Sequence, residues 1–159
     1  MAEYSLLFTM AQDKSGLDVD NDSLIRIAYD WFQQHQDDSL YAKCLYYMGK
    51  YYMLNDSTEQ AISLLTQSSE KSSKIGDLKT ESMALEKLSK VYQVVEPEKS
   101  LVFSKKALET YARYQYATLK NRIYLNLNYS EALLACDITR KSVDVILSNV
   151  PKALVLKDS

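Results

Sequence analysis

LYYMGKYYMLNDSTEQAISLLTQSSEKSSKIGD, residues 45–77, is followed by a segment that aligns with it, LEKLSKVYQVVEPEKSLVFSKKALETYARYQY, residues 85–116. Leu45 aligns with Leu85, Met48 with Leu88, Gly49 with Ser89 and Tyr52 with Tyr92, each pair 40 residues apart. Ala61 then aligns with Ser100, Ile62 with Leu101, Leu64 with Phe103 and Ser68 with Ala107, each 39 apart. The lost residue falls between the two conserved blocks, where a connection tolerates it. Bulky residues at i, i+3 and i+7 with a small one at i+4 define one helical face with a gap for a neighbouring helix. The repeating unit is therefore a pair of helices.

The punctuation agrees. Ser57 and Gln60 have the spacing of a capping box, Pro97 suits a first helical position, and Gly76 suits the left-handed residue that ends a helix. Helices are predicted near 3–14, 21–36, 39–54, 57–74, 78–95, 97–114, 116–136 and 139–149. They make four hairpins (3–36, 39–74, 78–114, 116–149) in a single domain spanning 1–159. The outer hairpins are weaker copies. Leu7, Met10 and Ala11 stand for Leu45, Met48 and Gly49 at one end, with Ser23, Leu24 and Ile27 opening the second helix. Tyr124, Leu127 and Asn128 stand for the same residues at the other end. Outer units of a stack diverge because one of their faces meets water.

The order Leu45, Met48, Gly49, Tyr52, Ala61, Leu65, Ser68 resembles the tetratricopeptide repeat, and Leu85, Leu88, Ser89, Tyr92, Ser100, Ala107 follow it with one deletion. The proline that often closes the unit is absent, and an extended KIGD connection stands instead. This resembles a long variant of the repeat, with a period near 40. The N-terminal stretch SLLFTMAQDK and the segment DSLIRIAYDWFQQHQDDSLYAKCLYYMGKYY are further similar to tetratricopeptide domains common in Bacteroidetes, which often belong to larger envelope-anchored or regulatory proteins. The resemblance implies an all-α, right-handed superhelix and a protein-binding role.

Composition narrows the function. The 159 residues are 47% hydrophobic and 25% charged, enough for a core. Nineteen basic against 21 acidic residues leave a net charge of -2, without the basic excess of a nucleic-acid binder. One histidine, His35, at a predicted helix end, gives a Ser-His or Cys-His mechanism a single candidate base. Gly16, Gly49 and Gly76 are too scattered for a phosphate loop. Cys44 and Cys136 read as two small buried side chains, neither a metal motif nor a disulfide framework. The run DVDNDS, 18–23, has alternate acids but lacks the glycine and distal glutamate of a calcium loop. N-capping at Ser23 accounts for it better. No uncharged stretch is long enough to cross a membrane, and the N-terminus carries no basic n-region, so a soluble segment is expected. It is cytoplasmic as written, with an envelope-anchored parent as the alternative. No catalytic residue, metal or cofactor is expected.

Thirteen tyrosines against three phenylalanines suit both a repeat core and a recognition surface. Tyr52, Tyr92, Trp31 and Phe32 are expected in the core. In the family resembled, the first helix of each pair lines a concave groove. The matching positions here include Lys43, Tyr46, Tyr47 and Lys50, then Lys87 and Lys90, then Arg122, Asn126 and Tyr129. Five of the eighteen groove positions are basic and one, Glu86, is acidic. Such a groove suits an extended acidic peptide or a C-terminal carboxylate. Arg122 and Asn126 stand one turn apart, as in a carboxylate clamp, but Lys87 occupies the place of the clamp's other asparagine. The function expected is non-catalytic binding of a protein or peptide, with no nucleic acid and no membrane insertion by this segment. A homodimer stays open. The alternative is a sensory or regulatory input module of a larger membrane-anchored signalling protein.

Overall fold

The computed structural model describes residues 1–17, 21–35, 37–137 and 141–149. Among them the chain is all-α, with eight helices and no strand, arranged as helical hairpins whose neighbouring members pack in sequence order. The helices are α1 (Ala2–Lys14), α2 (Ser23–His35), α3 (Asp38–Leu54), α4 (Thr58–Ile75), α5 (Leu78–Val95), α6 (Pro97–Ala112), α7 (Leu119–Ala135) and α8 (141–149). These boundaries lie within three residues of those expected. The chain forms two compact units, Met1–Ala84 and Leu85–Ser159, with α5 running across the division.

The helix ends follow local chemistry. Pro97 opens α6, where its missing N–H has no helical partner to lose. Gly76 ends α4 at φ +75°, and Asp77 N donates back to Ser72 O at 2.9 Å. Asp77 then caps α5, its carboxylate accepting from Thr80 N at 3.1 Å and Thr80 Oγ1 at 2.7 Å. The KIGD connection is thus a helix end and a tight turn, not an extended link. Asp37 caps α3 through Leu40 N at 3.0 Å, and Thr118 caps α7 through Asn121 N at 3.3 Å. The expected capping box does not form, because the Ser57 hydroxyl donates to Asn55 O at 3.3 Å instead. At α2, Asn21 Oδ1, rather than Ser23, accepts the first free amide, from Ser23 N at 3.1 Å. Asp22 pairs with Arg26, while Asp18 and Asp20 lie outside the described residues.

In the first unit α1 packs on α2, α2 on α3 and α3 on α4. Gly49 and Leu65 mark the closest approach of α3 and α4. A Cβ at Gly49 would stand 2.7 Å from Leu65 Cγ and 3.2 Å from Leu65 N. Nearby, the buried Ser68 hydroxyl donates to Ala42 O at 2.8 Å. The second unit solves the same contact differently: Ser89 and Ser100, the counterparts of Gly49 and Ala61, are both buried with their hydroxyls 3.1 Å apart. Tyr92 stacks on Phe103 one turn further along. Leu85, Ala107, Tyr111 and Leu125 form this unit's core, with Phe103 and Leu108 against it. Tyr111 Oη accepts from Thr118 N and Asn121 Nδ2, both at 3.1 Å, which fixes the entry to α7. α8 joins α7 through Ser130 and Ser142, their hydroxyls 2.6 Å apart in a buried seam.

The outer helices depart from the expected register. α1 buries Ala2, Ser5, Leu6 and Thr9, while Leu7 and Ala11 face solvent. α2 buries Ile25, Ala28 and Phe32 but leaves Ile27 and Trp31 exposed; the Trp31 ring stacks on His35 at 3.8 Å instead of entering the core. α7 buries Leu125, Asn128 and Ala132, so Asn128 lies where expected but Tyr124 and Leu127 do not. Tyr52 and Tyr92 are half-buried.

Candidate functional site

The nine residues expected to line one groove are distributed over several environments. In the first unit, α3 is enclosed by α2 and α4, with α1 reaching it through Asp13. Tyr46 and Tyr47 are therefore only 3% and 7% exposed, packed edge to face at 4.8 Å, and are not presented as plates to a ligand. Tyr47 Oη donates to Asp13 Oδ2 at 3.4 Å, and Lys50 forms an ion pair with the same carboxylate. Burial and the Asp13 charge push the Tyr47 phenol well above its ordinary range, so it stays neutral. Lys43 is half-buried and forms no ion pair with the described residues.

In the second unit, α5 and α7 share a charged cluster. Glu86 is buried, and its carboxylate takes Lys87 Nζ at 2.9 Å and Lys90 Nζ at 3.4 Å. Tyr124 of α7 closes the cluster, accepting from Lys90 Nζ at 2.8 Å and donating to Glu86 Oε1 at 3.3 Å. Both ammonium groups also lie over the Tyr124 ring, at 5.9 Å for Lys87 and 5.0 Å for Lys90. Burial lowers the Lys90 pKa, but the Tyr124 hydrogen bond and the Glu86 charge outweigh it and hold the value above the ordinary one. Tyr124 stays 45% exposed. Lys120, one turn before it on α7, is exposed.

Arg122 and Tyr124 are two residues apart and point to opposite sides of α7. Arg122, Asn126 and Tyr129 thus belong to a separate flank, toward α8. Asn126 Nδ2 donates to Arg122 O at 2.9 Å and to Asn149 Oδ1 at 3.4 Å, and Lys141 lies over the Tyr129 ring at 5.9 Å. The Asn126 amide is spent inside the protein, so no carboxylate clamp forms with Arg122. The sequence placed Tyr124 on the packing stripe and Glu86 as the one acid among the groove positions. The Glu86–Lys90 spacing of four residues on one helix was the signal available for their pairing.

Compared with known proteins, the chain matches no family model, no curated protein and no solved structure. Among the described residues no cluster of three or more His, Cys, Asp or Glu has a metal-binding arrangement, and no helix is long and apolar enough to cross a membrane. A shallow cleft of about 170 Å³ is lined by Asp38, Leu45, Gln67, Glu70, Lys71 and Lys74. It is smaller than the pockets that hold small-molecule ligands.

The two thiols differ. Cys44 is buried, and desolvation together with the Asp37 charge pushes its pKa up to about 12. Cys136, at the end of α7, is half-buried, contrary to the expectation of two buried thiols. Its pKa is also raised, by burial and the Glu98 and Asp137 charges. Titrating the folded protein with Ellman's reagent at pH 8 should release one equivalent from Cys136. Cys44, buried and held protonated, should react far more slowly until denaturant is added. Two equivalents released together from the folded chain would contradict the burial of Cys44.

Proposed function

We propose that this chain is a non-catalytic binding module that takes an extended acidic segment of another protein across the α5–α7 surface of its second unit. The observation that carries this reading is the half-exposed Tyr124 ring, flanked by two ammonium groups that share a single carboxylate. One positive charge is left over beside an aromatic face, and Lys120 adds another along α7. Leu127 on α7 and Val94 on α5 extend the surface with exposed apolar side chains. Carboxylates of an extended peptide would meet the lysines, and its apolar side chains would rest on Tyr124, Leu127 and Val94. The resemblance to tetratricopeptide repeats supports a protein-binding role but does not choose the partner.

Exposed ion pairs add little each, about 0.2–1 kcal/mol, so affinity should be modest and salt-dependent. Fluorescence anisotropy with labelled Asp/Glu-rich peptides, alongside Lys/Arg-rich controls, tests this. Lys90→Ala and Tyr124→Ala should each weaken the acidic peptide about fivefold or more with helicity unchanged, and the loss should shrink as salt rises. Equal binding of acidic and basic peptides, or full binding by both variants at low salt, would overturn the reading.

A further inference from the structure

α1 carries large apolar side chains on the side away from α2 and α3. Its inward side is mostly small or polar (Ala2, Ser5 and Thr9, with Leu6), while its outward side carries Tyr4, Leu7 and Phe8, with Tyr4 and Phe8 in ring contact at 6.3 Å. On α2, Arg26 and Tyr29 face α3, meeting Tyr52 and Tyr41 at 3.4 Å each. Ile27 and Trp31 occupy the opposite flank of that helix. These five outward residues are between 41% and 67% exposed.

We propose that the outward face of α1, widened by Ile27 and Trp31 of α2, is a two-fold interface with a second copy of this chain. The area supports it. An aromatic or large aliphatic side chain exposed to this extent offers on the order of 100 Å², so the five together offer roughly 500 Å² per copy. Two copies would bury about 1,000 Å², the lower bound for a specific protein interface. The charges support it independently. With two α1 helices packed antiparallel about a two-fold axis, Leu7 of one copy lies level with Phe8 of the other and Tyr4 with Ala11. Glu3 and Lys14 lie on the same flank of the stripe. In that pairing Glu3 of one copy comes within two residues, or about 3 Å along the axis, of being level with Lys14 of the other, and the symmetry makes the contact twice. Both side chains are exposed and neither forms an ion pair with the described residues. In this pairing the face is self-complementary in charge. It does not depend on the peptide-binding reading of α5 and α7.

Sedimentation velocity and equilibrium of the full chain at up to about 200 µM test the proposal. The wild type should reach a dimer and stop there. Phe8→Asp should weaken the dimer about a hundredfold, with the helical circular dichroism unchanged because the side chain faces solvent. Glu3→Lys alone should weaken it about fivefold, and Glu3→Lys combined with Lys14→Glu should restore it to within about twofold. The rescue distinguishes self-pairing from any general effect of charge on the surface. A monomer throughout the range, as expected if another helical unit covers this face instead, would overturn the proposal. So would an open-ended series of oligomers, a dimer indifferent to Phe8→Asp, or a charge exchange that fails to rescue.

Discussion

Gly49→Leu is expected to lower the stability of the chain by about 3 kcal/mol, read as a fall in the urea midpoint with an unchanged slope. The substitution carries a favourable term, since leucine forms helix better than glycine by up to about 1 kcal/mol. The steric term wins. Even a Cβ would overlap Leu65 Cγ at 2.7 Å and press on Leu65 N at 3.2 Å, so the side chain of Leu65 can yield but the backbone of α4 must move as well. The cost should therefore fall only partly when Leu65→Ala is added, because the second change removes the side-chain clash and leaves the backbone one. A double variant that fully regains the stability of Leu65→Ala alone would show that the backbone contact is unimportant. A Gly49→Leu midpoint equal to wild type would show that α3 and α4 do not meet here.

Glu86→Ala is expected to cost about 2–3 kcal/mol. It removes a buried carboxylate that pairs with both Lys87 and Lys90 and accepts from Tyr124. A fully buried pair broken on one side would cost more, but Lys90 is partly exposed and can turn toward water. Glu86→Gln keeps the shape and removes the charge, so it should recover less than half of the loss if the charge dominates. The same cluster gives stability a signature in base. The Lys90 pKa is held above its ordinary value of 10.5 in the folded chain. Its contribution is therefore complete below the unfolded pKa and disappears as the pH climbs through the folded one. Melting temperatures between pH 9 and 12 should fall less steeply in Lys90→Met than in the wild type. Parallel curves would remove Lys90 from the account.

The helix pairs were legible in the sequence because their signals are local. Gly76, Pro97 and the spacing around Gly49 each act within a turn or at one contact, and each lies where the pattern put it. The register of α1 was not legible, because a helix with apolar residues on both sides does not say which side the rest of the chain will cover. Ala2, Ser5 and Thr9 are inside because α2 and α3 lie there, although Leu7 and Phe8 are the more hydrophobic. Tyr46 and Tyr47 were misplaced for a related reason. Periodicity reports the direction of a side chain but not how many helices surround it, and α3 has neighbours on several sides. The basic residues of the expected groove also found partners that the sequence did not show, although Lys43 and Arg122 form no ion pair with the described residues. Lys50 found Asp13, 37 residues away, and Lys90 found Tyr124, 34 away, and no sequence window spans such partners.

The serine seams carry a thermal consequence. Where many helix bundles join through leucine, this chain joins α5 to α6 and α7 to α8 through paired hydroxyls, and α3 to α4 through a glycine and a serine bonded to the backbone. Unfolding such seams exposes less apolar and more polar surface to water. Apolar exposure raises the heat capacity of the unfolded chain and polar exposure lowers it. The stability of this molecule should therefore curve gently with temperature, losing less on cooling than a leucine-seamed bundle of equal length.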